Sequence, residues 1–282
     1  MHFEKWQALG NDYIIVERDR LPFPLTPARV RRLCDMHLGV GSDGILELAA
    51  ADAPGFVARL RILNPDGSEA ELSGNGAREA VMYLRRAGWT DQAQFSIQTA
   101  AGEIRPTILD AQTCTLDMGR ARLRSADFPA GGEDGLGTLE AGGRTWRFQH
   151  VQVGNPQCAI HVPDADELEA LDLPAIGPEI ERHAGFPNRT NVSFFRAVAP
   201  DRIRARIFER GVGETSASGT GASGAAIAHV LGGGDSPVTV QLDGGELVVD
   251  VDESLLFTLT GWALPSYAGD VSPELLATLR AL

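Results

Sequence analysis

The feature that most constrains this chain is an internal repeat. When Ser73 is laid over Ser218 without gaps, Glu69 falls on Glu214, Gly74 on Gly219, Gly76 on Gly221, Ala77 on Ala222 and Ala80 on Ala225. In each half an alternating stretch (57–63 and 203–208) has the period of a half-buried strand. It runs into a polar turn, then Ser-Gly-X-Gly-Ala, then an apolar-faced helix (77–86 and 222–231). Such self-similarity implies duplication of one supersecondary unit. The alternative is that Ser-Gly-X-Gly-Ala is a good helix opener that recurs by chance. A two-fold repeat tends to bring equivalent loops together at a shared cleft.

Around the repeat the pattern is one of short strands and turns. Residues 3–16 predict two strands broken by Gly10-Asn11-Asp12. Thr26-Pro27 ahead of residues 28–36 predicts a capped helix with proline at its first position. Residues 39–44 form a glycine-rich turn before a short apolar run. Residues 95–100 and 102–109 predict paired strands, 178–183 a helix, 238–242 and 246–251 a hairpin, and 273–282 a closing helix. Residues 125–143, rich in glycine and acid with little periodicity, read as a linker or mobile loop between two halves.

At 282 residues the chain is long enough for one large domain or two modest ones. Its net charge of −13 disfavours nucleic acid, whose phosphates it would repel. No apolar run approaches a membrane span, and the N-terminus lacks a signal-peptide layout, so the expected compartment is the cytosol. The three cysteines, Cys34, Cys114 and Cys158, are widely spaced and form no CxxC pair. They read as structural thiols rather than a metal or disulfide framework. His37 and His161 read as surface or packing residues, and the arginines of 202–210, Arg210 apart, as a solvated face.

The two glycine-flanked helix starts have a chemistry of their own. Glycine lets a ligand approach the backbone closely. The first N–H groups of a helix lack internal partners and carry partial positive charge. Each turn therefore suits a carboxylate. It would also stabilise the enolate-like charge formed when a proton leaves the carbon next to that carboxylate. The alternative is that Ser73 and Ser218 are N-caps and nothing more.

These residues match a known pattern. Residues 64–68 (Asn-Pro-Asp-Gly-Ser) with Glu71-Leu72-Ser73-Gly74-Asn75-Gly76-Ala77-Arg78 resemble the first active-site signature of diaminopimelate epimerases. Residues 208–215 with Ser218-Gly219-Thr220-Gly221-Ala222 resemble the second. Gly10-Asn11-Asp12, residues 39–44, Gly154-Asn155-Pro156 and Thr190-Asn191-Val192 match further motifs in order. The resemblance implies an α/β (α+β) fold of two pseudo-symmetric domains, 1–118 plus 264–282 and 119–263. Each would be a barrel-like mixed or antiparallel sheet around a central helix, with the active site in the interdomain cleft. It implies a cofactor-independent epimerase with no metal, acting on a small diamino diacid, with no membrane or nucleic-acid partner, and homodimeric. Ser73 and Ser218 take the catalytic positions. Asn11, Asn64, Asn155, Asn191, Glu209 and Arg210 would bind the distal end of the substrate. Gly74, Asn75, Gly219 and Thr220 would hold the reacting carboxylate.

The chain departs from that family where the chemistry is done. The family's two cysteines are Ser73 and Ser218, and Gln157 stands where histidine is usual. A thiol titrates near pH ~8.5 and less at a helix N-terminus. A serine hydroxyl is a far weaker acid, so a thiol-type two-base reaction should be slowed by orders of magnitude. Glu69 and Glu214 are candidate assistants. The double serine is explained by an altered natural enzyme, by deliberate replacement to trap substrate, or by a member that only binds. Other readings are a relative acting on proline, hydroxyproline or another small acid, or shifting a double bond. Gly219-Thr220-Gly221-Ala222-Ser223-Gly224 also fits a dinucleotide fingerprint but lacks the preceding strand. Residues 221–225 fall short of a serine-hydrolase elbow.

Overall fold

The computed structural model describes residues 1–70 and 72–282; Glu71 of the first signature lies outside them. The chain divides into two compact units, Met1–Leu116 with Gly261–Leu282, and Asp117–Thr260.

Unit 1 is a curved mixed sheet. Its strands run in the order Leu264–Asp270, His2–Ala8, Asn11–Glu17, Ile45–Ala49, Ala58–Leu63, Ile97–Thr99, Gly102–Ile104. Unit 2 has the order Leu136–Ala141, Arg144–Gln152, Pro156–His161, Asn191–Ala199, Arg202–Glu209, Val238–Leu242, Gly245–Val251, extended by Leu256–Trp262. Both sheets show the same succession of pairings: antiparallel, antiparallel, parallel, antiparallel, parallel, antiparallel. In both, a short strand (Glu69–Ala70, Gly213–Thr215) folds back on the strand before the repeated turn. Matching topology of this kind is what duplication predicts, and chance recurrence of a helix opener does not produce it.

Each sheet holds a 13-residue helix on its inner face, Gly74–Arg86 and Gly219–Leu231. Residues 74–84 are buried without interruption, so this helix is core on every side rather than amphipathic. The second helix can pack as closely because it is built from glycine and alanine. A Cβ at Gly221 would sit 2.8 Å from the Ile207 side chain. The outer face of the first sheet is covered by Pro27–Cys34 and Pro273–Ala281, around Phe3, Ile14, Leu33 and Leu279. The outer face of the second is covered by Ala165–Ala170 and Leu173–Glu181, over an aromatic cluster of Phe128, Trp146, Phe148, Phe186 and Phe194. No helix among the described residues is long and apolar enough to cross a membrane.

Several local expectations change. Residues 125–143 are not a linker between halves, because they lie inside unit 2 and Leu136–Ala141 is an edge strand paired with Arg144–Gln152. Its buried positions, Leu139 and Ala141, are separated by a glutamate and surrounded by glycine, which hides the period. The helix expected at 178–183 spans Leu173–Glu181, capped by Asp172. The second of the paired strands after residue 95 breaks at Arg105: Gly102–Ile104 pairs with Ile97–Thr99, and Pro106–Ile108 turns to Thr113–Arg120.

Candidate active site

The two serines occupy equivalent positions in their units. Ser73 has extended backbone (φ −133°, ψ 122°), and its Oγ accepts the Gly76 N–H at 3.1 Å. Ser218 is alike (φ −143°, ψ 121°) and accepts the Gly221 N–H at 3.2 Å. Both are N-caps, so the bland reading is correct as far as it goes. The N–H groups of Gly74 and Asn75, and of Gly219 and Thr220, lie in first turns where no intrahelical carbonyl reaches. Neither first turn carries an acidic side chain to fill that site.

Each hydroxyl has a further, different partner. In unit 1 the buried Tyr13 donates its phenol O–H to Ser73 Oγ at 3.2 Å. Tyr13 is on the strand leaving the Gly10-Asn11-Asp12 turn, and its ring lies against Gly44, where a Cβ would come within 2.6 Å of it. In unit 2 Ser218 Oγ donates to Glu209 Oε2 at 3.1 Å. Burial pushes the Glu209 carboxyl above its ordinary range, and the Ser218 bond opposes that shift. Sequence reasoning placed Glu209 on the distal end of a substrate and did not single out Tyr13. Both contacts depend on strand register that spacing alone does not reveal.

The asparagines tie the loops to the helix starts. Asn75 Nδ2 donates to Asn11 Oδ1 at 3.2 Å, and Asn11 Nδ2 to Asp43 Oδ2 at 2.8 Å. Behind them the fully buried Arg78 donates to Asn75 Oδ1 at 2.6 Å and to the Gly74 carbonyl at 3.1 Å. Burial pulls this guanidinium down to about 10. In unit 2 Asn155 Nδ2 donates to Thr220 Oγ1 at 3.2 Å, the counterpart of the Asn11–Asn75 contact. Gln157 donates to Asn155 Oδ1 at 2.6 Å and packs where a side chain at Gly224 would otherwise stand. Asn191 holds turns together, accepting the Arg210 N–H at 2.9 Å and donating to the Pro156 carbonyl. Asn64 closes its own turn through Ser68 at 2.9 Å. Arg210 is exposed and donates to the Asn188 carbonyl.

Glu69 and Glu214 are not the assistants expected. Glu69 takes two hydrogen bonds from Arg61, at 3.1 and 2.8 Å, which hold its carboxyl below the usual range. Glu214 accepts from Arg206 at 2.6 Å. The arginines of 202–210 are correspondingly not a free solvated face: Arg204 pairs with Glu169 and Asp243, and Arg206 also binds three carbonyls. The three cysteines are buried, and burial raises Cys34 to about 11, Cys114 to about 12 and Cys158 well above its ordinary value. None supplies a thiolate in place of the missing ones. His150 Nε2 lies 2.9 Å from Ser125 Oγ, but the nearby Asp127 accepts from Gln152 and Asn188 instead, so no hydrolase triad forms.

Comparison with known proteins settles the relationship. A sequence model described as diaminopimelate epimerase matches residues 3–124 and 149–258. The chain belongs to the diaminopimelate epimerase family. A diaminopimelate epimerase of Desulforudis audaxviator is 42% identical over 89% of this chain and 91% of its own length. One from Pelotomaculum thermopropionicum is 39% identical over 96% and 98%. Among solved structures, a probable proline racemase from Agrobacterium radiobacter shares the fold, with a TM-score of 0.70 at 17% identity, covering 98% of this chain and 95% of that one. A predicted epimerase from Pseudomonas aeruginosa has a TM-score of 0.66 at 15% identity, covering 96% and 98%. The family's fold, two duplicated mixed α and β units, is the fold found here.

Proposed function

We propose that this chain is an isomerase that inverts an α-carbon of diaminopimelate, interconverting the LL and meso forms by proton transfer alone. Its relatives along nearly the whole chain carry that name. The observation that carries the reading is the pairing of each helix-capping hydroxyl with its own acidic partner, Ser73 with Tyr13 and Ser218 with Glu209. Inversion needs one group to take a proton from one face of a carbon and another to return a proton to the opposite face; each unit brings one such pair. The helix N–H groups beside each serine suit the substrate carboxylate, whose charge grows as the α-proton leaves. Glu209 can accept the proton that Ser218 takes from one face, while Tyr13, donating to Ser73, can replace the proton that Ser73 gives to the other. The same reading places the protein in the cytosol as a homodimer.

A second reading, binding without turnover, is favoured by the absence of a thiolate at either position. One experiment separates the two. The protein is incubated with LL-diaminopimelate in D₂O and both isomers are examined by mass spectrometry and NMR. Slow deuterium uptake at the α-carbon supports isomerisation. Saturable binding with no uptake supports the second reading, and neither binding nor uptake overturns both.

A further inference from the structure

The duplicated topology gives each position of unit 1 a counterpart in unit 2. Gly10 and Gly154 both have left-handed backbone (φ 86° and 100°) before the equivalent asparagines. Gly88 and Gly233 are left-handed (76° and 97°) just after the equivalent helices. The next N–H returns to a helix carbonyl at 3.0 Å in both, Trp89 to Leu84 and Gly234 to His229. In that register Glu17, Tyr83 and Trp89 of unit 1 correspond to His161, Ala228 and Gly234 of unit 2, and Trp6 to Val151.

In unit 1 these residues plug one end of the sheet. Tyr83 donates to Glu17 Oε1 at 2.7 Å, Trp89 donates to the same oxygen at 3.4 Å, and the Tyr83 ring packs edge-on to Trp6 at 6.1 Å. In unit 2 the rings are gone and the same end is open. A cavity of about 730 Å³ is lined by Ala228 and His161 together with Leu136, Phe195, Leu231 and Arg147. The chain cannot refill it from position 234, where a Cβ would lie 2.2 Å from His229 Nε2. The volume falls within the range of about 300–1,000 Å³ typical of small-molecule sites, as does a mainly apolar wall with a few polar groups.

Two of the cavity's polar side chains, Arg147 and His161, are basic, whereas unit 1 has the acidic Glu17 at the position of His161. Where Glu17 presents a carboxylate to a phenol, unit 2 presents imidazole and guanidinium. Among the described residues no carboxylate pairs with Arg147. Asp134 also lines the cavity, and its Oδ1 is engaged by the Leu136 N–H at 3.1 Å. His161 lies against the Phe195 ring, centroids 5.3 Å apart, and desolvation together with the neighbouring His229 lowers its pKa. Ala228 is ten residues along the helix from Ser218, roughly 15 Å at 1.5 Å per residue, so this is not the serine site.

We propose that unit 2 binds a small aromatic carboxylate in this cavity, its ring taking the place of the Tyr83 ring of unit 1 and its carboxylate meeting Arg147 and His161. The test uses the full chain with 2-naphthoate and its uncharged amide, followed by NMR chemical-shift titration. Saturable shifts at cavity residues with the acid are expected, with affinity lower by about tenfold or more for the amide and for Arg147→Gln, as loss of a charge-assisted contact requires. Ala228→Tyr, which restores the unit 1 plug, should abolish binding. No saturable binding of the acid, equal binding of acid and amide, or binding unchanged in Arg147→Gln overturns the proposal. Should Ala228→Tyr fail to fold, the exposed Arg147→Gln decides alone.

Discussion

Exchanging the two serines for thiols should raise proton exchange unequally, and the inequality is the informative part. A thiol titrating near about 8.5 is roughly one-tenth thiolate at pH 7.5, before any help from the helix end. An unassisted hydroxyl, about as weak an acid as water, is ionised to roughly one part in 10⁸. That is a deficit of about seven decades. A Brønsted slope of about 0.5 returns about half of it, because the rarer base is stronger, leaving a gain of roughly 10³–10⁴ for an unassisted serine. Ser73 accepts the Tyr13 phenol O–H at 3.2 Å, and among the described residues no carboxylate bonds its hydroxyl. Ser218 already donates to a carboxylate at 3.1 Å, and positioned acid–base help is worth about 10²-fold or more. Ser73→Cys should therefore gain roughly 10³-fold and Ser218→Cys only about ten- to a hundredfold. α-Proton exchange in D₂O, measured separately from the LL and the meso isomer, reports the two proton-abstracting groups separately. A Ser218→Cys gain equal to or larger than that of Ser73→Cys would refute the assignment of Glu209 as helper. Each replacement also weakens an N-cap, at a cost of about 1 kcal/mol. Thermal melts should accordingly fall by a few degrees per site.

Four further outcomes are expected. Glu209→Gln removes the proton acceptor while keeping the shape, so exchange at the Ser218 side should drop at least about tenfold with little change in substrate affinity; equal loss of affinity would make Glu209 a binding residue. Tyr13→Phe deletes one hydrogen bond and should cost about 1 kcal/mol by chemical denaturation, slowing exchange from one isomer only. Gly44→Ala forces a Cβ to within 2.6 Å of the Tyr13 ring and the Leu63 carbonyl, and overpacking of that kind costs about 1–3 kcal/mol; an unchanged melting curve would contradict it. Burial raises the Glu79 carboxyl well above 4.5, with Asp12 and Asp43 adding to the shift and Arg78 opposing it. The folded state then holds this proton more tightly than the unfolded chain. Its stabilising effect is complete below about pH 4.5 and is lost as pH rises through the elevated folded value. Glu79→Gln should flatten that decline in melting temperature, and a decline identical to the parent's would count against it.

The parts of this molecule written in contiguous residues were legible in the sequence. Ser-Gly-X-Gly-Ala announced both core helices and their caps, because a cap is a relation between a residue and the N–H three positions on. The duplication was legible for the same reason, as a repeated local pattern. What depended on strand register was not. Glu214 lies closer to Ser218 in sequence than Glu209 does, yet pairing of Phe208 with Glu214 turns Glu214 to Arg206 and leaves Glu209 facing the serine. Residues 136–141 escaped notice as a strand because only Leu139 and Ala141 of the six are buried. The cavity in unit 2 was only half legible: the gapless repeat sets Ala228 against Tyr83, but strand register is needed to bring His161 and Arg147 to the same place.

The first strand of the chain, His2–Ala8, is hydrogen-bonded on one side to Leu264–Asp270. During synthesis it emerges some 260 residues before that partner, a wait of about 15–50 s at 5–20 residues per second. Through that interval its outer N–H and C=O groups are open to any neighbouring nascent chain. When the last strand arrives it pairs with a bulge of its own, Tyr267 and Pro265 facing the consecutive Lys5 and Trp6 with Ser266 left over. The seven strands of the second sheet that match those of the first, from Leu136 to Val251, are all on hand while unit 1 still lacks its last one.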